Sequence, residues 1–107
     1  MEQMLLLLAL ALNFSQSHQY CMYDDCIGTN YERYNCADYS HDFTLILRKG
    51  NFTTYPVCGY VNHIHHAWVG VVVNNTLIQI EPQTGQIVQP SGLEYARGMH
   101  CMVRGLS

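Results

Sequence analysis

Residues His66–Glu81 read HAWVGVVVNNTLIQIE. Two β-prone runs, HAWVGVVV and TLIQIE, flank Asn74-Asn75. Asparagine tolerates the left-handed backbone that a two-residue hairpin turn demands, so the stretch reads as a tight antiparallel hairpin. With that loop Val73 pairs with Thr76, which sets Trp68 opposite Glu81 and His66 opposite Gln83. Side chains alternate between the faces of a strand, so His66, Trp68 and Glu81 share one face. His66 and Glu81 are then diagonal neighbours, roughly 7 Å apart between backbones and within side-chain reach. A four-residue loop keeps this register, whereas a three-residue loop puts the pair on opposite faces. On an exposed face, Glu81 is expected to contribute little to folding.

Upstream, Cys36–Lys49 (CADYSHDFTLILRK) reads as a helix. Cys36, Ser40, Phe43 and Leu47 fall on one stripe at three-to-four spacing, with Tyr39 and Ile46 beside it. Asn35 supplies an N-cap, Asp38 puts negative charge in the first turn, and Arg48 and Lys49 put positive charge in the last. Gly50 closes the helix as its C-terminal cap. Thr53–Val61 (TTYPVCGYV) reads as a further strand, and Pro56 marks it as an edge or a strand start. Pro82, Gly85, Pro90 and Gly92 mark a turn-rich return, and Met99–Arg104 reads as a last strand. His18–Asn35, rich in Tyr, Asp and Cys, has no clear period and reads as loop or short helical turns. The elements make an α+β fold, with one main helix on a small antiparallel sheet.

The chain of 107 residues is one domain, and 49% hydrophobic with 12% charged residues it is built to fold. A net charge of −3 with five basic residues offers no cationic surface to nucleic acid or to an anionic membrane. The apolar run Met4–Leu12 is shorter than the roughly 20 residues that span a bilayer. It has the length of a signal-peptide core, and Ser15-Gln-Ser17 offers small residues for cleavage after Ser17. The expectation is a leader over residues 1–17, a secreted mature domain over 18–107, and no stable membrane insertion. Against it stand Glu2 and the lack of a basic residue before the run, which fit an ordinary first helix.

Five cysteines, Cys21, Cys26, Cys36, Cys58 and Cys101, leave at least one without a partner inside the chain. If Cys36 is the free thiol, Cys21–Cys26 with Cys58–Cys101 is the favoured pairing, one bridge being local and the other tying the chain end to the middle. The other two pairings of those four stay open. Asn51-Phe-Thr and Asn74-Asn-Thr match the glycosylation acceptor pattern.

A thiol at a helix N-terminus meets the positive end of the dipole, which favours thiolate. If the helix packs across the sheet face bearing His66, the imidazole keeps Cys36 ionised and Glu81 orients the ring. The Cys36 N–H would serve as an oxyanion donor. Three blocks add to this: Cys36-Ala-Asp38 opening a helix, Cys58-Gly59-Tyr60 ending a strand, and His66-Ala67-Trp68-Val69 followed by Ile80-Glu81-Pro82. In this order, over Asn35–Gly85, they resemble the core of the transglutaminase-like superfamily of cysteine enzymes, related in fold to papain-like proteases.

The resemblance implies Cys36 as nucleophile, His66 as base and Glu81 as the orienting acid, with protein or peptide amides, or acyl groups, as substrates and no cofactor. Glu81 stands where the family usually has aspartate, and the chain is too short for the added domains of larger members. The family's further oxyanion donor precedes the cysteine, where Asn30, Tyr31 and Tyr34 are available. A hydrolase or peptidase is favoured over a cross-linking enzyme, which must shield its acyl-enzyme from water. The alternative is a non-catalytic secreted binding or structural module that keeps the fold. A zinc site at His63, His65 and His66 with His100 or Cys101 lacks any standard spacing. Nothing in the sequence fixes the oligomeric state.

Overall fold

The computed structural model describes residues 2–18, 35–61, 64–88 and 99–100. Two helices, α1 (Glu2–Ser17) and α2 (Cys36–Lys49), pack with a five-stranded antiparallel sheet. Its strands are β1 (Thr53–Val61), β2 (Ile64–Val73), β3 (Thr76–Glu81), β4 (Gln86–Ile87) and β5 (Met99–His100), in the order β4-β3-β2-β1-β5. The α+β class and the bounds of α2, β1 and β3 match the sequence expectation.

Both ends of α2 are closed by local chemistry. Asn35 Oδ1 accepts the Ala37 N–H at 3.0 Å, and Asp38 Oδ2 accepts the Asn35 N–H at 3.0 Å. Each side chain thus satisfies a backbone donor that the first turn leaves open. At the far end Gly50 is the C-cap but keeps φ at −83°. The left-handed residue is Asn51, at φ 66°. Phe52 N–H returns to Leu47 O at 3.0 Å and Asn51 N–H to Arg48 O at 3.1 Å, the paired bonds of a Schellman ending.

The β2–β3 hairpin has the expected register, running from Val73–Thr76 to Val69–Ile80. Asn74 and Asn75 carry φ of 51° and 63°, the left-handed pair of a tight two-residue turn. β1 pairs with β2 along its whole length, from Thr53–Val72 to Val61–Ile64. On its other side it meets β5 only at Val57 and Cys58, so Pro56 lies just outside that short ladder. A residue without an N–H is tolerated there.

Alternation sorts the sheet into two faces. Val69, Val71, Val73 and Ile80 point to the helices and form the main core with Tyr39, Phe43, Leu47 and Phe52. Trp68 and Val57 point the other way, into a second cluster closed by Val88. α2 therefore packs on the face opposite to Trp68, not across the face bearing His66 as the sequence reading supposed. Within α2 the buried positions are Tyr39, Ser40, Phe43, Thr44 and Leu47, whereas Ile46 is exposed. Ser40 Oγ and Thr44 Oγ1 are buried without a hydrogen-bond partner among the described residues.

The segment expected to be a leader forms α1. One side of it buries Leu7, Ala11 and Phe14 in the main core, and the other exposes Leu5, Leu6 and Leu12. Its backbone lies against the turn after β3, where a Cβ on Gly85 would come within 2.9 Å of Ala11 O. Gly85 also has φ 76°, so the position suits glycine on both counts. Among the described residues, no helix is long and apolar enough to cross a membrane.

Cys58 is held in a disulfide and Cys36 is free. The expected Cys21–Cys26 and Cys58–Cys101 pairings involve Cys21, Cys26 and Cys101, which lie outside the described residues. So do residues 19–34 of the segment expected to be irregular, with Asn30, Tyr31 and Tyr34, as well as His63, the side chains of His65 and His100, and the part of the expected last strand beyond His100.

Candidate active site

Cys36, His66 and Glu81 come together. Glu81 Oε1 and His66 Nε2 are hydrogen-bonded. The Cys36 thiol is hydrogen-bonded to the same imidazole. With Nε2 taken by the carboxylate, Nδ1 is the ring nitrogen left for the sulfur.

The contact arises although α2 covers the opposite face, because β2 has an open edge. Its ladder with β3 ends at Val69–Ile80, and Glu81-Pro82 then turns away from β2. His66 and Ala67 thus lie beyond the β3 ladder, and Cys36, the first residue of α2, meets them there. The sulfur also accepts the Ala67 backbone N–H. His66 lies on the same face of β2 as Trp68. His66 and Glu81 thus share a face, and Cys36 joins them beyond the end of the β2–β3 ladder.

Glu81 is only 5% exposed, so the expected solvent-facing position is corrected. Its Oε2 accepts the Gln83 N–H at 3.2 Å, and its backbone carbonyl accepts the Gly85 N–H at 2.8 Å. The turn that begins with Pro82 thus folds back over the carboxylate and buries it. Both roles, orienting a ring and anchoring a turn, rest on one side chain.

Burial alone would raise the Cys36 pKa. The hydrogen bonds from His66 and the Ala67 N–H, with the charge of His66, outweigh burial and hold the thiol below its ordinary range, against a smaller opposing effect of Glu81. Burial likewise works against the imidazolium, but the bonds to Cys36 and Glu81 and their charges raise His66 to about 9. Both shifts favour the thiolate–imidazolium pair, the reactive form of a thiol nucleophile. The Cys36 N–H stands at the first position of α2, where a helix offers no acceptor of its own.

Two residues that sequence reasoning did not assign to the site adjoin it. Tyr39, one turn along α2 from Cys36, is buried, and burial with the nearby Glu81 charge raises its pKa. Gln79 accepts the Trp68 indole N–H at 2.6 Å. The hairpin register did contain that signal, since Trp68 and Gln79 share a face. Among the described residues, no group of three or more His, Cys, Asp or Glu side chains is arranged to hold a metal ion.

Compared with known proteins, the chain matches no family model, no curated protein and no solved structure.

Proposed function

We propose that the chain is a thiol enzyme of the transglutaminase-like kind, with the related papain-like core, acting on amide, peptide or acyl substrates. The observation that carries this reading is that one imidazole, His66, bonds the Cys36 thiol and the Glu81 carboxylate at once. The order of the parts supports it: a nucleophile opening the helix, then histidine and acid on successive strands of an antiparallel hairpin.

In this reading the Cys36 thiolate attacks the substrate carbonyl, forming the S–C bond while the carbonyl π pair moves to oxygen. The oxyanion is met by the Cys36 N–H and the positive end of α2. His66 then gives its proton to the leaving nitrogen as the C–N bond breaks, leaving a thioester on Cys36. Water attacks the thioester, its proton passes to His66, and Cys36 leaves as thiolate. Hydrolysis is preferred to cross-linking because the described domain is small for the enclosure that would keep water from a thioester.

Mass spectrometry after incubation with an activated acyl ester tests this. The expected product is one acyl group on Cys36, absent in His66→Ala. Acylation spread over other side chains, or none on Cys36, leaves a non-catalytic module of the same fold.

Export is part of the proposal, with residues 1–17 as a leader and His18 as the mature N-terminus. An apolar helix that exposes Leu5, Leu6 and Leu12 fits a leader better than a surface helix. Its removal opens the sites that Leu7 and Phe14 fill beside Tyr39 and Phe43. N-terminal sequencing of protein recovered outside the cell tests this reading: His18 supports it, and an intact Met1 makes α1 a retained part of the core.

A further inference from the structure

Trp68 is the single tryptophan of the chain and is fully buried. Its ring stacks on His66, with centroids 6.0 Å apart and planes inclined by 26°. An indole in this position can do two things that a phenyl ring does less well. Its face is the strongest aromatic partner for a cation, so it favours the protonated imidazole lying over it. Its N–H, however, needs an acceptor, because a buried donor left unpaired costs the full desolvation of that group. Gln79 provides the acceptor, at 2.6 Å from Nε1.

Gln79 is itself well anchored. It pairs with Gly70 across the β2–β3 ladder, and its carbonyl accepts the Val88 N–H at 2.9 Å. Val88 closes the cluster that holds Trp68. The amide therefore sits at a fixed point of the sheet, on the face carrying Trp68 and His66. Opposite it, Gly70 leaves room for the Tyr55 ring, whose nearest atom would stand 3.2 Å from a Cβ there.

We propose that Gln79 is a positioning residue of this site: by accepting the Trp68 N–H it fixes the indole as a flat face behind His66, and so holds the imidazolium in place toward Cys36. The inference rests on the thiol-enzyme reading above and adds a residue to it. Among the described residues, the titratable groups facing His66 are Cys36 from α2 and Glu81 from β3, with Tyr39 of α2 facing Glu81 in turn. Gln79 carries no charge, so its effect on the pair passes through the orientation of Trp68.

The test is the pH profile of Cys36 alkylation by iodoacetamide, read on the Cys36 peptide, in the full chain. Gln79→Met keeps the size of the side chain and removes the acceptor. It should move the acid limb of the profile upward by roughly half a unit to one unit, as the imidazolium loses its aromatic partner. Gln79→Glu keeps an acceptor and should hold the limb at or below its original position. In a Trp68→Phe background, Gln79→Met should produce no further shift, because the bond is already gone.

An acid limb that Gln79→Met leaves in place overturns the inference, as does an equal shift in the Trp68→Phe background or a Gln79→Glu profile displaced upward. If Gln79→Met fails to fold, Gln79→Glu and Trp68→Phe still decide the matter by the same limb. Cys36 titrating as an ordinary thiol in the unaltered protein overturns the thiol-enzyme reading, and this inference with it. A low acid limb there, unmoved by Gln79→Met, overturns this inference alone.

Discussion

His66 Nε2 and Glu81 Oε1 are hydrogen-bonded from positions that stand diagonally across the β2–β3 hairpin. The bond depends on a turn of two left-handed asparagines, which sets which side chains share a face. It also depends on β3 ending where it does, since Pro82 carries the chain away and folds the carboxylate inward. Register and strand end together make Glu81 a buried acid beside a raised imidazole.

Glu81→Gln should lower the His66 pKa from about 9, since it removes the neighbouring negative charge. A histidine raised in the folded state stabilises fully below its unfolded value of 6.5, and loses that contribution as pH rises through about 9. The variant should therefore show a flatter fall in stability between those two pH values. It should also lose about 1–3 kcal/mol near neutral pH, because an amide nitrogen turned toward the Gln83 N–H leaves that donor unpaired. Denaturant unfolding across pH measures both effects. An unchanged pH dependence would remove Glu81 from the His66 pair.

The turn makes a separate prediction. Asn74→Ala and Asn75→Ala should each cost about 1 kcal/mol, because alanine pays the full penalty of left-handed backbone. Asn75→Gly should cost nothing or stabilise slightly. Denaturant midpoints read these changes, and alanine variants as stable as the parent would argue against the two-residue turn and its register.

Thr44→Val should stabilise the domain by about 1 kcal/mol, because it replaces a buried hydroxyl without a partner by a methyl of the same shape. The same unfolding measurement applies. A loss of stability would mean that the Thr44 hydroxyl is bonded in solution.

Much of this was legible in the sequence, for local reasons. Asn35, Asp38 and the Arg48-Lys49-Gly50 ending bound α2 because caps act within one turn. Asn74-Asn75 set the hairpin because turn geometry fixes register. What alternation cannot give is which face a helix covers. Cys36, His66 and Glu81 were read as one site, but the supposed route, α2 lying over His66, is replaced by an approach beyond the end of the β2–β3 ladder. The burial of Glu81 depends on how the segment after Pro82 folds back, which no periodicity encodes. Nor does an apolar run such as Met4–Leu12 say whether it will be a leader or core, since both need the same residues. Ile46 flanked the apolar stripe in sequence, yet the sheet reaches only as far round α2 as Thr44 on the other side.

The Cys36–His66 contact is the centre of the site, and the rate of Cys36 alkylation by iodoacetamide against pH measures it most directly. The unaltered protein should show an acid limb below the ordinary thiol range. In His66→Ala that limb should rise to about pH 8.5, with the rate near pH 7 reduced roughly tenfold or more. Indistinguishable profiles for the two proteins, or a Cys36 that does not react, would contradict that contact.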